Sequence, residues 1–275
     1  MMSKQANDWE RRASKAVRLL ALIPRRPVEV YDRLMTVMEV KRDRRQDAFH
    51  NSNTLVYTHA LSLATGASSS AIARLLAEVE LKRLEEKISI GIAIAKRTGP
   101  FDLRHNGNFC LARSIYVLCR LLSPNVVLET GVAYGVTSAF ALQALAVNRN
   151  GTLISVDLPP LGRHADRNVG TLIPPELRER WKLHRGPARR ILPNLVSSIQ
   201  EVDIFVHDSL HTYRHMSFEF ETAWPFVRPG GALVADNVDS NDAFQHFTAA
   251  VGPFFSAMVE EENTTDLFGV VIKRP

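Results

Sequence analysis

Cysteine is scarce in this chain, since only Cys110 and Cys119 occur among 275 residues. Both fall in an apolar helical pattern between residues 109 and 122. Two cysteines at this spacing give neither a disulfide framework nor a cysteine-rich metal site. We therefore expect two small core residues in a protein of a reducing compartment.

Long apolar runs are missing as well. No stretch approaches the ~20 residues that a membrane-spanning helix needs. The short apolar segment at residues 17–24 is flanked by arginines and lacks the length and cleavage site of a signal peptide. These absences predict a cytoplasmic protein without a membrane span, and a hydrophobic content of 45% is enough for a buried core.

Charge is divided unevenly along the chain. The basic excess lies entirely in residues 1–100, while residues 101–275 are slightly acidic and the whole chain has a net charge of +5. A basic N-terminal part suits an acidic substrate, an anionic membrane surface or nucleic acid. Ordinary exposed helix faces explain it equally, because acids are interspersed among these bases.

The N-terminal part has helical periodicity over residues 9–98. Apolar residues recur three and four positions apart and predict an amphipathic helix, at Val28, Tyr31, Leu34, Met35 and Met38. We interpret residues 1–106 as an all-helical N-terminal extension that acts as a cap or as the contact of a homodimer.

From residue 107 onward, β-type and helical patterns alternate. Strands are expected at residues 125–130, 152–157, 182–185, 203–207 and 231–235, and two further β-type runs close the chain at 254–260 and 267–273. Helices are expected at residues 108–122, 137–147, 175–181, 188–198, 212–226 and 241–251. Residues 107–275 are therefore predicted to form an α/β domain, a Rossmann-like doubly wound sheet of about seven strands, mostly parallel with an antiparallel C-terminal edge. Such sheets bind ligands beyond the carboxyl ends of their strands.

The first of these strands runs into the motif Glu129-x-Gly131-x-x-x-Gly135-x-Thr137. A dinucleotide fold would need G-x-G-x-x-G, so this spacing argues against a nicotinamide oxidoreductase. The stretch resembles the first motif of class I S-adenosylmethionine (SAM) methyltransferases. The resemblance implies that SAM is the cofactor and that this turn binds it, with contacts from Glu129, Gly131, Tyr134, Gly135 and Thr137.

Two later strand ends complete the predicted cofactor site. Asp157 ends the second strand, where a carboxylate accepts the ribose hydroxyls of a bound nucleoside. Pro187 and Ala188 follow the third strand and are candidates to hold the adenine edge, with a simple turn as the alternative.

Acidic residues follow the fourth and fifth strands. Asp208 and Asp236 are one β-α-β unit apart and should meet at the same edge of the sheet, where carboxylates repel each other unless a cation joins them. With the amide of Asn237 they form an all-oxygen ligand set suited to Mg²⁺ or another divalent ion. His211 is the candidate base, whereas His207 is expected to face the opposite way.

The segment 202–238 resembles the metal-dependent O-methyltransferases of the catechol and caffeoyl-CoA type. The resemblance implies that Asp208, Asp236 and Asn237 hold the metal and that Asp208 lines the SAM pocket and takes part in catalysis. The chain departs from that type at His211, where the family has a lysine. Asp-x-x-His is more similar to a bacterial branch with macrolide-sugar O-methyltransferases and cephalosporin-hydroxylase-like proteins. The resemblance covers residues 107–275 only.

These patterns predict SAM-dependent O-methylation of a small-molecule hydroxyl, on a sugar, a phenol or a natural product. One alternative is an RNA methyltransferase that uses the basic N-terminal part, but basic runs interleaved with aromatic residues are absent from the sequence. Another is a SAM-binding module without catalysis, against which the pairing of Asp208 with His211 argues.

Overall fold

The computed structural model describes residues 17–43, 54–98, 109–161, 165–260 and 266–275. The strands are β1 (Leu55–Val56), β2 (Val126–Thr130), β3 (Thr152–Asp157), β4 (Trp181–Arg185), β5 (Val202–His207), β6 (Val227–Ala235), β7 (Phe255–Glu260) and β8 (Leu267–Ile272). The helices are α1 (described over residues 17–22), α2 (Pro27–Arg42), α3 (Tyr57–Thr65), α4 (Ser69–Leu76), α5 (Val79–Thr98), α6 (Phe109–Leu122), α7 (Val136–Asn148), α8 (Ala165–Asn168), α9 (Ala188–Ile199), α10 (Tyr213–Ala223) and α11 (Ala243–Val251).

The strands form one sheet in the order β1-β7-β8-β6-β5-β2-β3-β4. Strands β4, β3, β2, β5 and β6 are parallel to one another, and β8 is antiparallel to both β6 and β7. This confirms the predicted fold class, including its antiparallel C-terminal edge. The sheet has eight strands instead of about seven, because β1 adds to its edge by pairing parallel with β7.

Both faces of the sheet are covered, as the alternation of strands and helices predicts. One apolar layer packs α3 to α7 against the sheet, and the other packs α9 to α11 against its opposite face. The central strands are therefore buried on both sides, and all six residues of β5 are inaccessible. Their carboxyl ends emerge together at one edge.

The N-terminal part contributes to this core. Leu61, Ile72, Leu84 and Ile88, from α3, α4 and α5, are buried in the same apolar layer as α6 and the sheet. The N-terminal part was predicted to be helical throughout, and β1 is the exception. The proposed boundary at residues 106 and 107 lies outside the described residues. Within the described ranges, none of the helices has the combined length and apolar character needed to cross a membrane.

Helix α2 exposes its apolar side chains and turns charged ones toward the protein, which is the reverse of an ordinary amphipathic helix. The apolar side chains predicted from its periodicity are exposed by 40 to 59%, at Val28, Tyr31, Leu34, Met35 and Met38. The side that faces the sheet domain has Glu29 instead, which is only 8% exposed. Arginines outside this helix bind its acids, so ion pairing rather than apolar burial fixes the docking of α2.

Three element ends differ from the sequence prediction for local reasons. Residues 175–180 form a 3-10 helix, and Trp181 already belongs to β4. Helix α10 begins after Thr212, whose side chain caps it, and ends at Ala223 before a 3-10 turn that contains Pro225. Strand β6 begins at Val227, four residues before the start that the sequence predicts.

Candidate functional site

The turn after β2 is fixed by its two glycines. Gly131 and Gly135 both have φ of +84°, a conformation that other residues rarely adopt. A Cβ on Gly131 would overlap the backbone carbonyl of Asp208, and a Cβ on Gly135 would lie 2.9 Å from both Gly170 Cα and Ile173 Cγ1. Packing within the protein therefore accounts for glycine at both positions, because a side chain would overlap these neighbouring atoms. The same contacts also bring the predicted cofactor turn against the predicted metal residue Asp208.

Glu129 lies beneath this turn and is 1% exposed. Its Oε2 accepts hydrogen bonds of 2.7 Å from Ser138 Oγ in α7 and from Ser155 Oγ in β3. Trp181 Nε1 donates to the same Ser155 hydroxyl at 3.0 Å. Burial raises the pKa of Glu129 to about 7, although the two serine hydrogen bonds oppose the rise. The carboxyl group thus fastens the turn to its neighbours, and its predicted contact with the cofactor stays a prediction.

Two buried polar atoms near the turn have no hydrogen-bond partner within the described part of the chain. They are Thr137 Oγ1, in the first turn of α7, and Asp157 Oδ2, at the end of β3. Buried polar atoms are nearly always paired in native proteins, so such atoms are typical of a site completed by a ligand. Burial raises the pKa of Asp157 to about 6, while the backbone N–H of Ala133 partly offsets it.

The remaining predicted cofactor residues lie around Asp157. The N–H of Gly186 donates to the backbone carbonyl of Asp157 at 2.8 Å, which brings Pro187 beside β3. Pro187 is the N-cap of α9, and Ala188 is 7% exposed and packs in the apolar layer behind it. Tyr134 is 1% exposed within a small apolar cluster, so its side chain is part of the packing of the turn.

An acidic cluster lies beyond the ends of β5 and β6. Asp208, His211 and Asp236 each offer a ligand atom, and these atoms lie within 4.8 Å of one another. His211 Nε2 is 3.8 Å from Asp208 Oδ1. Burial raises the pKa of Asp236 to about 6, while hydrogen bonds from Asp208 and from the Asn237 backbone oppose the rise. Two carboxyl groups in contact must share a proton or a cation. The sequence predicted that Asp208 and Asp236 would lie together in this way.

Asn237 follows Asp236 in a left-handed conformation, with φ of +51°. Asparagine is one of the few residues that adopt this conformation readily, so the turn itself accounts for its presence. Its backbone N–H bonds the Asp236 carboxylate. The role of its side-chain amide as a metal ligand stays a prediction.

His207 was expected to face away from the cluster, and this was wrong. Its ring lies 5.5 Å from that of His211 in an edge-on arrangement. Its Nδ1 lies 2.6 Å from Oε2 of Glu219. Glu219 belongs to α10 and is completely buried beside the end of β5. His207 is also completely buried, and its Nε2 has no partner among the residues that the structure describes.

Glu219 is the centre of a network that the sequence reasoning missed. Its Oε1 accepts from Ser209 Oγ at 2.8 Å and lies 2.9 Å from His215 Nε2, and Thr130 Oγ1 donates to its Oε2. Burial alone would raise the pKa of Glu219, but the two histidines outweigh it and hold that pKa below its ordinary value. The spacing His215-x-x-x-Glu219, one helical turn, was the available sign of a polar face on α10.

Comparison with known proteins adds one decisive match. Residues 128–238 match the family model described as "Methyltransferase domain". The match begins in β2, before the glycine turn, and ends just after Asp236 and Asn237. Over this segment the chain is similar to methyltransferase domains, which is consistent with the class I motif in its sequence. The family resemblance inferred from the glycine motif is thereby confirmed.

Solved structures share the fold of the methyltransferase domain at low sequence identity. An O-methyltransferase from Bacillus cereus in complex with S-adenosylhomocysteine (SAH) is 16% identical, with a TM-score of 0.55 over 70% of this chain and 90% of that one. The O-methyltransferase TomG from Streptomyces achromogenes, involved in tomaymycin synthesis and solved with SAM, is 20% identical, with a TM-score of 0.56 over 69% and 90%. No curated protein sequence matches the chain.

Helix α2 also contacts the carboxyl ends of β3 and β4. Arg185, the last residue of β4, donates to Glu29 Oε2 at 2.7 Å, and Arg33 Nη2 donates to the carbonyl of Pro159 at 2.7 Å. Burial would raise the pKa of Glu29, but hydrogen bonds from Arg185 and Arg33 outweigh it and lower that pKa to about 2. No local pattern in the sequence indicates this pairing, because its partners are more than a hundred residues apart.

Proposed function

We propose that the protein is a SAM-dependent O-methyltransferase that acts with a divalent ion on the hydroxyl of a small molecule. The observation that carries this proposal is the contact between the Gly131 turn and the backbone of Asp208. The turn that would hold the methyl donor thus adjoins the cluster that would hold the acceptor. Transfer requires the two reactants to be fixed within contact distance of each other.

The cofactor half of the proposal rests on the unpaired buried atoms. Asp157 Oδ2 suits the ribose hydroxyls, and Thr137 Oγ1 lies near the first N–H groups of α7, where an anion such as a carboxylate is stabilised. Gly131 and Gly135 keep the intervening backbone clear of side chains. Pro187 and Ala188 would border the adenine, as the sequence predicts.

The metal half rests on the chemistry of the donor set. Asp208 and Asp236 would hold a hard divalent ion such as Mg²⁺, with Asn237 as the predicted third ligand. When bound, such an ion lowers the pKa of a coordinated hydroxyl and fixes its orientation. His211 lies beside Asp208 and would accept the hydroxyl proton on Nε2, since a neutral imidazole is a suitable base near neutral pH.

Two further points bear on the acceptor. The two solved structures named above are O-methyltransferases by name, and one is involved in tomaymycin synthesis, which favours a natural-product hydroxyl over a nucleic acid.

Helix α2 lies across the proposed cofactor side through Glu29 and Arg33, so we propose that the N-terminal part caps the site. The predicted cytoplasmic location and homodimer stay predictions.

The cofactor assignment is tested by titrating SAH into the full chain by calorimetry. Asp157→Ala should weaken SAH binding roughly 10- to 100-fold, since hydrogen bonds to a charged group contribute about 1.5–3 kcal/mol. Asp166→Ala, an exposed acid that pairs with Arg185, is the matched control and should bind nearly as the native protein does. Equal binding by both variants would contradict the assignment.

A further inference from the structure

One face of α2 combines exposed apolar side chains with basic ones. We call this face the N-terminal outer face. Its apolar members lie three or four residues apart and are each at least 40% exposed, at Tyr31, Leu34, Met35 and Met38. Monomeric proteins rarely expose so many large apolar side chains together, and such surfaces mark binding sites.

The acids of α2 are paired with arginines of the rest of the molecule. Asp32 accepts from Arg190 Nε at 2.9 Å, Glu39 accepts from Arg189 Nη2 at 3.0 Å, and Glu29 is bound by Arg185 as described above. These arginines belong to the end of β4 and the start of α9. The charged side of α2 is therefore neutralised by the methyltransferase domain.

The exposed charges that continue this face are positive. Lys41 and Arg42 are exposed, and neither forms an ion pair within the ranges that the structure describes.

We propose that the N-terminal outer face binds the surface of an anionic lipid bilayer. Apolar side chains interspersed with Lys and Arg are the chemistry by which helices lie in the interface of such a membrane. A second copy fits less well, because two such faces would oppose positive charges while the acids of α2 are already paired. Nucleic acid would bind the basic side chains but would leave the exposed apolar side chains of this face without a partner.

Flotation of the full chain with lipid vesicles tests this binding. Vesicles of phosphatidylcholine with about one third phosphatidylglycerol should carry the protein, and vesicles of phosphatidylcholine alone should carry it at least about tenfold less well, because each basic residue adds to the attraction of an anionic surface. Added salt should weaken the binding. Equal binding to both vesicle types, or binding to neither, would overturn the proposal.

Paired variants separate the two components. Leu34→Glu with Met38→Glu, and separately Lys41→Glu with Arg42→Glu, should each reduce flotation about tenfold or more. Val79→Glu with Ile90→Glu, at exposed apolar positions of α5, makes the same change elsewhere and should float as the native protein does. All variants should keep native SAH affinity, which shows that they are folded.

Two other occupants give distinct results. If a second copy covers the face, light scattering without lipid will show a dimer that Leu34→Glu with Met38→Glu dissociates. If nucleic acid does, the protein will bind labelled RNA with a strong salt dependence, and Lys41→Glu with Arg42→Glu will abolish that binding while the apolar variant keeps it. Either result without anionic flotation overturns the proposal.

Discussion

The two halves of the sheet edge are built in different ways. The half that we propose holds the methyl donor, here called the donor half, lies at the ends of β2, β3 and β4 and has glycine turns and the polar atoms Thr137 Oγ1 and Asp157 Oδ2. The acceptor half, at the ends of β5 and β6, has Asp208, His211 and Asp236 in mutual contact. Backbone shape therefore defines the donor half, whereas charge concentrated among side chains defines the acceptor half.

The buried groups behind the two halves also differ, since a histidine–carboxylate pair lies behind the acceptor half and Glu129 with two serine hydroxyls lies behind the donor half. His207 and Glu219 lie behind the cluster and are completely buried. Buried charged groups hold one another in place when all are paired, and side chains in that position orient those in front of them.

The largest expected effect comes from Gly131, which joins the two halves. Gly131→Ala places a Cβ against the carbonyl of Asp208 at positive φ. It should lower the free energy of unfolding by at least about 3 kcal/mol and weaken both SAH and metal binding. Urea unfolding and calorimetry measure these changes.

Gly66→Ala is the matched control, because Gly66 has φ of +72° with no atom within 4 Å of an added Cβ. It should cost only the conformational part, about 1 kcal/mol, and leave both ligands bound normally. Equal losses in the two alanine variants would show that the contact with Asp208 does not matter.

Loss of the acids should affect the acceptor half alone. Asp208→Asn combined with Asp236→Asn removes both carboxylates and should weaken Mn²⁺ binding about 100-fold, while SAH affinity changes much less. Electron paramagnetic resonance of Mn²⁺ and calorimetry of SAH measure the two. Asp242→Asn, at the nearby start of α11, is the control and should change neither. Native Mn²⁺ affinity in the double variant would remove the proposed metal site.

Asp157→Ala should produce the reverse pattern. SAH binding should fall roughly 10- to 100-fold while Mn²⁺ binding stays native, because Asp157 lies on the other half of the edge. A variant that lost both ligands equally would show that the halves are one coupled site.

The pH dependence of folding gives a prediction for a residue beneath the donor half. The pKa of buried Glu129 is about 7, above its ordinary value of 4.5, so its contribution to stability is full below pH 4.5 and is lost as the pH rises through 7. Glu129→Gln should remove up to about 3 kcal/mol of the decline in the free energy of unfolding over this range. Glu179→Gln, at an exposed position, should leave the decline unchanged. An undiminished decline in Glu129→Gln would contradict the prediction.

The sequence predicted the fold, and the meeting of the strand-end acids at one edge of the sheet, because these follow from local patterns. Asp157, Asp208 and Asp236 end apolar strands, and parallel strands bring their ends to one edge. The predictions from sequence failed where contacts between residues far apart in the chain determine an orientation. The orientation of α2 depends on Arg185, and that of His207 on Glu219. Neither pairing leaves a periodic pattern in the sequence.

The most direct test is a crystal structure of the full chain with SAH and Mn²⁺, using anomalous scattering to locate the ion. We expect the SAH ribose on Asp157 and an ion about 2 Å from carboxylate oxygens of both Asp208 and Asp236. The SAH sulfur should point toward that ion. An ion elsewhere, or SAH bound away from the Gly131 turn, would contradict the proposed function.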